Sequence, residues 1–294
     1  MRGVAEPANA IDPAQVRRRF ARAAQTYAAA SPLEAEIGKR MLERLEYVRA
    51  APRRILDAGA GPAREARLLR RRYAGAALVT LDASLAMLQA GRRRPGWRDW
   101  LRGLPRDLPV VADFARMPLA EGCVDLLWSN MALHWAPAPD AVLREFSRVL
   151  APNGLLMFST LGPDTLKELR QAAGPEQVHA FIDMHDLGDA LLAAGFAAPV
   201  MDAEFVTLTY TAPDALFADL RRSGQTSARA DRGRGLRGRR FLAQAYAALA
   251  AQGRDGRIPV TYEVVYGHAW KGEKRQTDDG RAVIRTDALR HKRR

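Results

Sequence analysis

The feature that most constrains this chain is an apolar strand that runs into an acid and then into alternating glycines. It is Arg53-Arg54-Ile55-Leu56-Asp57-Ala58-Gly59-Ala60-Gly61-Pro62-Ala63, leading into a helix-forming segment. Glycines at a strand-to-helix turn admit positive φ and let backbone approach a ligand closely. A dinucleotide fingerprint would need a third glycine at position 64, where this chain carries Arg64. A short glycine pattern is weak alone, but the downstream segments strengthen it. Strand-like runs end at Asp82, at Asp113 and at Asn130. Strand ends bearing short polar residues would meet on one edge of an open parallel sheet, where such sheets bind ligands. Asp82 stands where a doubly wound fold sets a carboxylate on ribose hydroxyls. It could equally cap the helix beginning near Ser84.

The rest of the pattern predicts an α/β chain with a mostly parallel, doubly wound, Rossmann-like sheet. Strands are expected at 53–57, 77–82, 108–112, 123–129, 155–160, 199–210 and 259–270. Helices are expected at 13–30, 31–49, 63–72, 84–93, 140–150, 164–173, 186–194, 213–222 and 236–251. Ser31, Pro32 and Glu34 read as the start of a helix closed by a capping box. The organisation expected is an N-terminal helical region over 1–50, a core over 51–211 and a basic helical insertion over 212–256. A final core strand over 257–270 and a polar, basic tail over 271–294 complete it.

With 294 residues and 48% hydrophobic content, the chain can bury a substantial core. No apolar run approaches the ~20 residues that span a bilayer, and residues 1–12 carry no secretory pattern. The single cysteine, Cys123, reads as a small buried hydrophobe and fits a reducing, cytoplasmic setting. Five histidines without close ligand spacing give no expectation of a metal. Lys and Arg outnumber Asp and Glu by 46 to 33, a net charge of +13 that favours anionic partners. Arg221, Arg222, Arg229, Arg232, Arg234, Arg237, Arg239 and Arg240 crowd the insertion. Few aromatics interleave with them and no nucleic-acid fold motif accompanies them, so no specific nucleic acid is expected.

Asp57, Gly59 and Gly61, with Ala63 in the last slot, resemble the acid-x-Gly-x-Gly-x-Gly loop that binds S-adenosylmethionine in class I methyltransferases. Longer blocks narrow the resemblance to the malonyl-[acyl-carrier protein] O-methyltransferases. They are Arg19-Phe20-Ala21-Arg22-Ala23-Ala24-Gln25-Thr26-Tyr27, Ser84-Leu85-Ala86-Met87-Leu88 and Ser129-Asn130-Met131-Ala132-Leu133-His134-Trp135. The segments 162–170, 183–188 and 259–270 continue it, so the likeness covers most of residues 16–270. His134 stands where many such proteins carry glutamine. That histidine also resembles assembly factors of respiratory complex I, one of which is linked to protein-arginine chemistry.

The resemblance implies S-adenosylmethionine as cofactor, with the Gly59–Gly61 backbone and Asp57 near its methionyl part. Asp82 would serve its ribose, Met87 and Asp113 its adenine, and Asn130 the region of the reacting methyl. It implies that the helical region over 1–50 is a lid, with Tyr27 as a hydrogen-bond donor to a carboxylate or as a packing residue on the stripe with Phe20. His134 would orient a substrate carboxylate or be structural, Trp135 would line the substrate, and Arg221 or Arg222 would pair with the malonyl carboxylate. The implied partner is an acidic acyl-carrier protein, or coenzyme A in its place, steered by the basic insertion. The implied role is the start of pimeloyl synthesis for biotin, by a monomeric enzyme.

Overall fold

The computed structural model describes residues 11–92, 108–231 and 238–272. At its centre lies a sheet of β1 (Arg54–Ala58), β2 (Ala77–Asp82), β3 (Leu108–Val111), β4 (Val124–Ser129), β5 (Leu150–Leu161), β6 (Phe196–Tyr210) and β7 (Ile258–Lys271). The spatial order is β3-β2-β1-β4-β5-β7-β6. Strands β1 to β5 pair in parallel, while β7 runs antiparallel between β5 and β6. The parallel strands therefore deliver Asp57, Asp82 and Asn130 to one sheet edge, as the sequence pattern required.

Ten α-helices flank the sheet among the described residues: α1 (Pro13–Ala23), α2 (Tyr27–Ala30), α3 (Pro32–Arg44), α4 (Ala66–Arg72), α5 (Leu85–Gly91), α6 (Pro139–Val149), α7 (Lys167–Ala173), α8 (Met184–Ala193), α9 (Pro213–Arg222) and α10 (Arg239–Ala250). The central strands are apolar on both faces because both are covered. Ile55, Leu126, Trp128 and Val264 pack with Ile37 and Met41 of α3 and Leu249 of α10. On the opposite face, Leu56, Leu127, Phe158 and Val265 pack with Phe146 of α6 and Leu191 of α8. The period of two along each strand divides these layers.

Several expectations are corrected. The helix expected over 13–30 breaks after Ala23, because Thr26 turns its hydroxyl onto the carbonyls of Ala23 (3.1 Å) and Arg222 (2.6 Å). The capping box at Ser31 does not form. Ser31 Oγ donates to the Tyr27 carbonyl at 2.6 Å, and Glu34 turns away to accept from Gln225. The helix expected from residue 63 begins at Ala66, with Ala63 in the left-handed region at φ 51°. That expected from 164 begins at Lys167, where Leu166, also left-handed, donates its amide to the Thr261 carbonyl at 2.7 Å. Arg229 is not part of a basic surface. It is 8% exposed and forks onto Asp231 at 2.8 and 2.5 Å. Arg232, Arg234, Arg237 and the tail from 273 lie outside the described residues.

The N-terminal helices rest on the segment after α9 as well as on the sheet. The Asp12 amide donates to the Ala228 carbonyl at 2.8 Å. A Cβ on Gly224 would come within 3.2 Å of the Phe20 ring.

Candidate active site

The loop after β1 is held by backbone geometry. The amides of Gly59 and Ala60 donate to the Leu81 carbonyl at 2.8 and 3.0 Å, which folds the loop over the end of β2. Asp82 completes the turn, because its Oδ2 accepts from the Gly61 amide at 2.8 Å and its Oδ1 from the Ser84 amide at 2.7 Å. One carboxylate thus ties the glycine loop to the start of α5. Gly59 adopts φ 77°, and a Cβ there would lie 2.4 Å from Ala132 Cβ. Gly61 adopts φ 54°, and a Cβ there would meet Met87 Cε at 3.3 Å and Tyr27 Cε1 at 3.9 Å. The loop backbone is therefore bare between Met87 on one side and the Tyr27 ring on the other.

Asp57 is 2% exposed, and its Oδ2 is buried with no hydrogen-bond partner among the described residues. An unpaired buried carboxylate oxygen is costly, which marks the place as one built for a donor or a cation. Two further acids lie close by that carry no site signature in the sequence, Glu34 and Glu65, at 6% and 7% exposure. Asn130 joins them: its Nδ2 donates to the Glu34 carbonyl at 2.9 Å and to Glu65 Oε1 at 3.2 Å. The Asn130 Oδ1 in turn accepts from Ser159 Oγ at 2.8 Å. Burial pushes the carboxyls of Glu34, Asp57, Glu65 and Asp82 above their ordinary range, and at Asp57 the charges of Glu65 and Asp82 add to it. Burial, then Glu34 and Glu65, pushes the Tyr27 phenol up as well, so it remains a protonated donor. Arg64 ties the N-terminal helices to the glycine loop by donating to the carbonyls of Ser31 (3.0 Å) and Ala28 (3.1 Å) and to Ser31 Oγ (2.9 Å).

His134 and Trp135 lie on a 3-10 turn, Leu133–Trp135, just past β4. His134 Nδ1 is 3.5 Å from Thr160 Oγ1, and its ring meets Trp135 and Phe181 at 5.2 and 5.9 Å. Burial, with the charge of His179, pushes the His134 imidazole down to about 3, so it is neutral at physiological pH. The Trp135 ring meets Phe20 edge-on at 5.2 Å, and Phe20 meets Tyr27 at 6.1 Å. These rings form a wall that runs from the glycine loop towards the insertion.

The structure thus gathers Tyr27, Asp57, Gly59, Gly61, Asp82, Met87 and Asn130 around the glycine loop, with Trp135 linked to them through Phe20 and His134 next to it. Asp113 lies at the rim, exposed, with Oδ1 accepting from the Ala115 amide at 2.8 Å. Arg221 and Arg222 are exposed in the last turn of α9, and the Arg222 carbonyl accepts from the Thr26 hydroxyl. Among the described residues no group of three or more His, Cys, Asp or Glu could hold a metal, and no helix is long and apolar enough to cross a membrane.

Residues 56–158 match the model of a methyltransferase domain family. A malonyl-[acyl-carrier protein] O-methyltransferase of Laribacter hongkongensis is 50% identical over 93% of this chain and 95% of its own length. The chain belongs to this methyltransferase family. Members from Halorhodospira halophila and Legionella pneumophila bear the same name. The first is 44% identical over 98% of both chains, the second 40% identical over 90% of this chain and 93% of its own length. Solved structures support the family fold. The YcgJ protein of Bacillus subtilis superposes with a TM-score of 0.56 at 16% identity, covering 81% of this chain and 99% of its own. A putative methyltransferase in complex with the Haloferax volcanii Trm112 activator gives 0.57 at 17%, covering 89% and 100%. The Rossmann-like methyltransferase fold expected from the strand pattern is thus what the chain adopts.

Proposed function

We propose that this methyltransferase transfers a methyl group from S-adenosylmethionine to the free carboxylate of a malonyl thioester carried on acyl-carrier protein, the step that opens pimeloyl synthesis for biotin. The observation that carries the reading is the pairing of near-full-length likeness to enzymes of that name with an acidic pocket whose deepest carboxylate oxygen, on Asp57, has no partner among the described residues.

The pocket fits the cofactor's chemistry. S-adenosylmethionine, when bound, supplies a methyl on a cationic sulfonium together with an ammonium and a carboxylate. Asp57 is suited to accept from the ammonium, the loop at Gly61, without a side chain between Met87 and Tyr27, to admit the methionyl chain, and Met87 to pack on the adenine, while the missing side chain of Gly59 makes room for Ala132. Asp82 could serve the ribose only by sharing an oxygen with the Gly61 or Ser84 amide it now accepts from. A further carboxylate at Asp113 stands at the rim for the adenine amine. The buried carboxyls of Glu34, Glu65 and Asp57, whose ionised forms a nearby cation stabilises, favour a ligand carrying positive charge.

The substrate carboxylate is ionised at neutral pH and needs no strong base. The protein's task is alignment and exclusion of water. Tyr27, held protonated, can donate to that carboxylate, and neutral His134 can donate one N–H while Trp135 screens the site. Cytoplasmic placement and a monomeric state accompany this reading. His134, on which the protein-arginine alternative rests, sits in a wall of aromatic rings, and the three relatives above are named for carrier-protein chemistry.

The test is mass spectrometry of malonyl-acyl-carrier protein after incubation with enzyme and S-adenosylmethionine. One added methyl on the malonyl form, none on the acetyl form, is expected. Methylation of both, or of neither, would remove the free-carboxylate reading.

A further inference from the structure

A cavity of about 220 Å³ opens between the core and the insertion, with Trp135 in its lining. Its walls are mostly apolar, with Phe217 and Tyr246 stacked at 5.1 Å, Leu220 and Ala245 buried, and Leu242 half-exposed at the lip. His134 and Trp135 form its inner end. Within it, Ser227 Oγ is buried and has no hydrogen-bond partner among the described residues. Arg239 and Arg240, exposed in the first turn of α10, directly precede the lining residues Phe241 and Leu242.

Apolar walls, one unpaired hydroxyl on a lining residue and cationic side chains just before Phe241 and Leu242 suit a flexible neutral chain. That chain would carry an amide or thioester and end in an anion at the surface. A purely hydrocarbon occupant would leave Ser227 unpaired, and a charged one would lose its hydration against Phe217 and Leu220. We propose that this cavity takes the phosphopantetheine arm of the carrier protein, with Ser227 on one of its amides and its phosphodiester towards Arg239 and Arg240. The arm then delivers the malonyl end past Trp135 to the cofactor pocket. The inference rests on the carrier-protein substrate proposed above and deepens it, because it assigns the insertion the task of holding the arm.

The experiment measures binding of two carrier forms to the full enzyme loaded with S-adenosylhomocysteine, which prevents turnover. One form is malonyl-acyl-carrier protein and the other is the apo carrier, which lacks the arm. The malonyl form should bind at least tenfold more tightly. Ala245→Leu, which fills the cavity, should collapse that gap towards one while leaving binding of the apo carrier as it was. Leu242→Asp should narrow the gap as well, and at a half-exposed position it keeps a folded variant available. Equal binding of the two carrier forms by the unaltered enzyme, or a gap that survives both substitutions, overturns the proposal. A gap that closes as expected, in an enzyme that transfers no methyl by mass spectrometry, would sink the methyl-transfer reading and leave the arm site standing.

Discussion

The acidic site proposed around the glycine loop and the insertion cavity, which Trp135 lines, are built by different physics. The site is polar and assembled locally. Asp57, Gly59, Gly61, Asp82 and Ser84 lie within 28 residues of one another, and backbone amides hold the Asp82 carboxylate in place. The cavity is apolar and assembled from distant pieces, from Trp135 near the end of β4 to Tyr246 in α10. The first is made by turns that the sequence spells out. The second depends on where whole helices come to rest. Buried carboxyls suit a small cationic ligand, whereas shape and apolar area suit a long neutral chain.

Disrupting the polar half should give the largest effect. Asp57→Ala should weaken S-adenosylmethionine binding by roughly 100-fold, the ~3 kcal/mol that accompanies loss of one member of a buried charged pair. Calorimetry should find the fold unaltered, since Asp57 Oδ2 bonds to nothing else described. A change below about threefold, well under one pKa unit's worth of energy, would show that the ammonium lies elsewhere.

The next effect concerns pH. Glu34, Asp57, Glu65 and Asp82 have carboxyls raised by burial, so the ligand-free fold is stabilised by their protonated forms. That contribution is complete below the ordinary carboxylate range and is lost as pH rises through the raised folded values. A cationic ligand prefers the ionised forms, so binding should release protons and tighten between mildly acidic and neutral pH. Calorimetry in buffers of different ionisation enthalpy reads this directly, and proton uptake would contradict it. The insertion cavity, with no such cluster among its described lining residues, should show no matching dependence for carrier binding.

Two smaller changes sharpen the contrast. Thr26→Val removes the bond to the Arg222 carbonyl and should cost about 1 kcal/mol in thermal unfolding. It should speed release of S-adenosylhomocysteine in stopped-flow exchange, because the lid loses a tie to the insertion; an unaltered rate would mean the lid does not gate exit. Ala63→Gly relieves a left-handed alanine worth about 1 kcal/mol but gives back roughly 0.5 kcal/mol in chain entropy. A slight rise in melting temperature is expected, with cofactor affinity unchanged, whereas a fall in stability would count against strain at φ 51°.

Much of the first region is legible in the sequence. An acid at the end of an apolar run, then glycines, then a helix leaves one economical geometry, and the parallel strand order follows from the intervening helices. Glu34 and Glu65 are not legible as site residues. Glu34 reads as a capping partner and Glu65 falls inside the helix expected over 63–72, and nothing in a helical repeat marks which charged side chain will be turned inward. The break at Thr26 escapes for the same reason, since the carbonyl that draws its hydroxyl belongs to Arg222. Arg229 reads as surface charge because its partner Asp231 looks like an isolated acid in a basic run.

By itself, then, the sequence determined the order of the strands along the chain, the place of the glycine loop and the convergence of Asp57, Asp82 and Asn130 on one edge. These follow from φ preferences, side-chain period and connection handedness, all of which act over short stretches of chain. Only the tertiary structure decided which acids lie buried beside the loop, that His134 is neutral, that the N-terminal helices are tied to Arg222 and Ala228, and that an apolar cavity opens beside Trp135. Those properties come from desolvation and packing between residues as much as 196 positions apart, and neither quantity exists until the helices have docked.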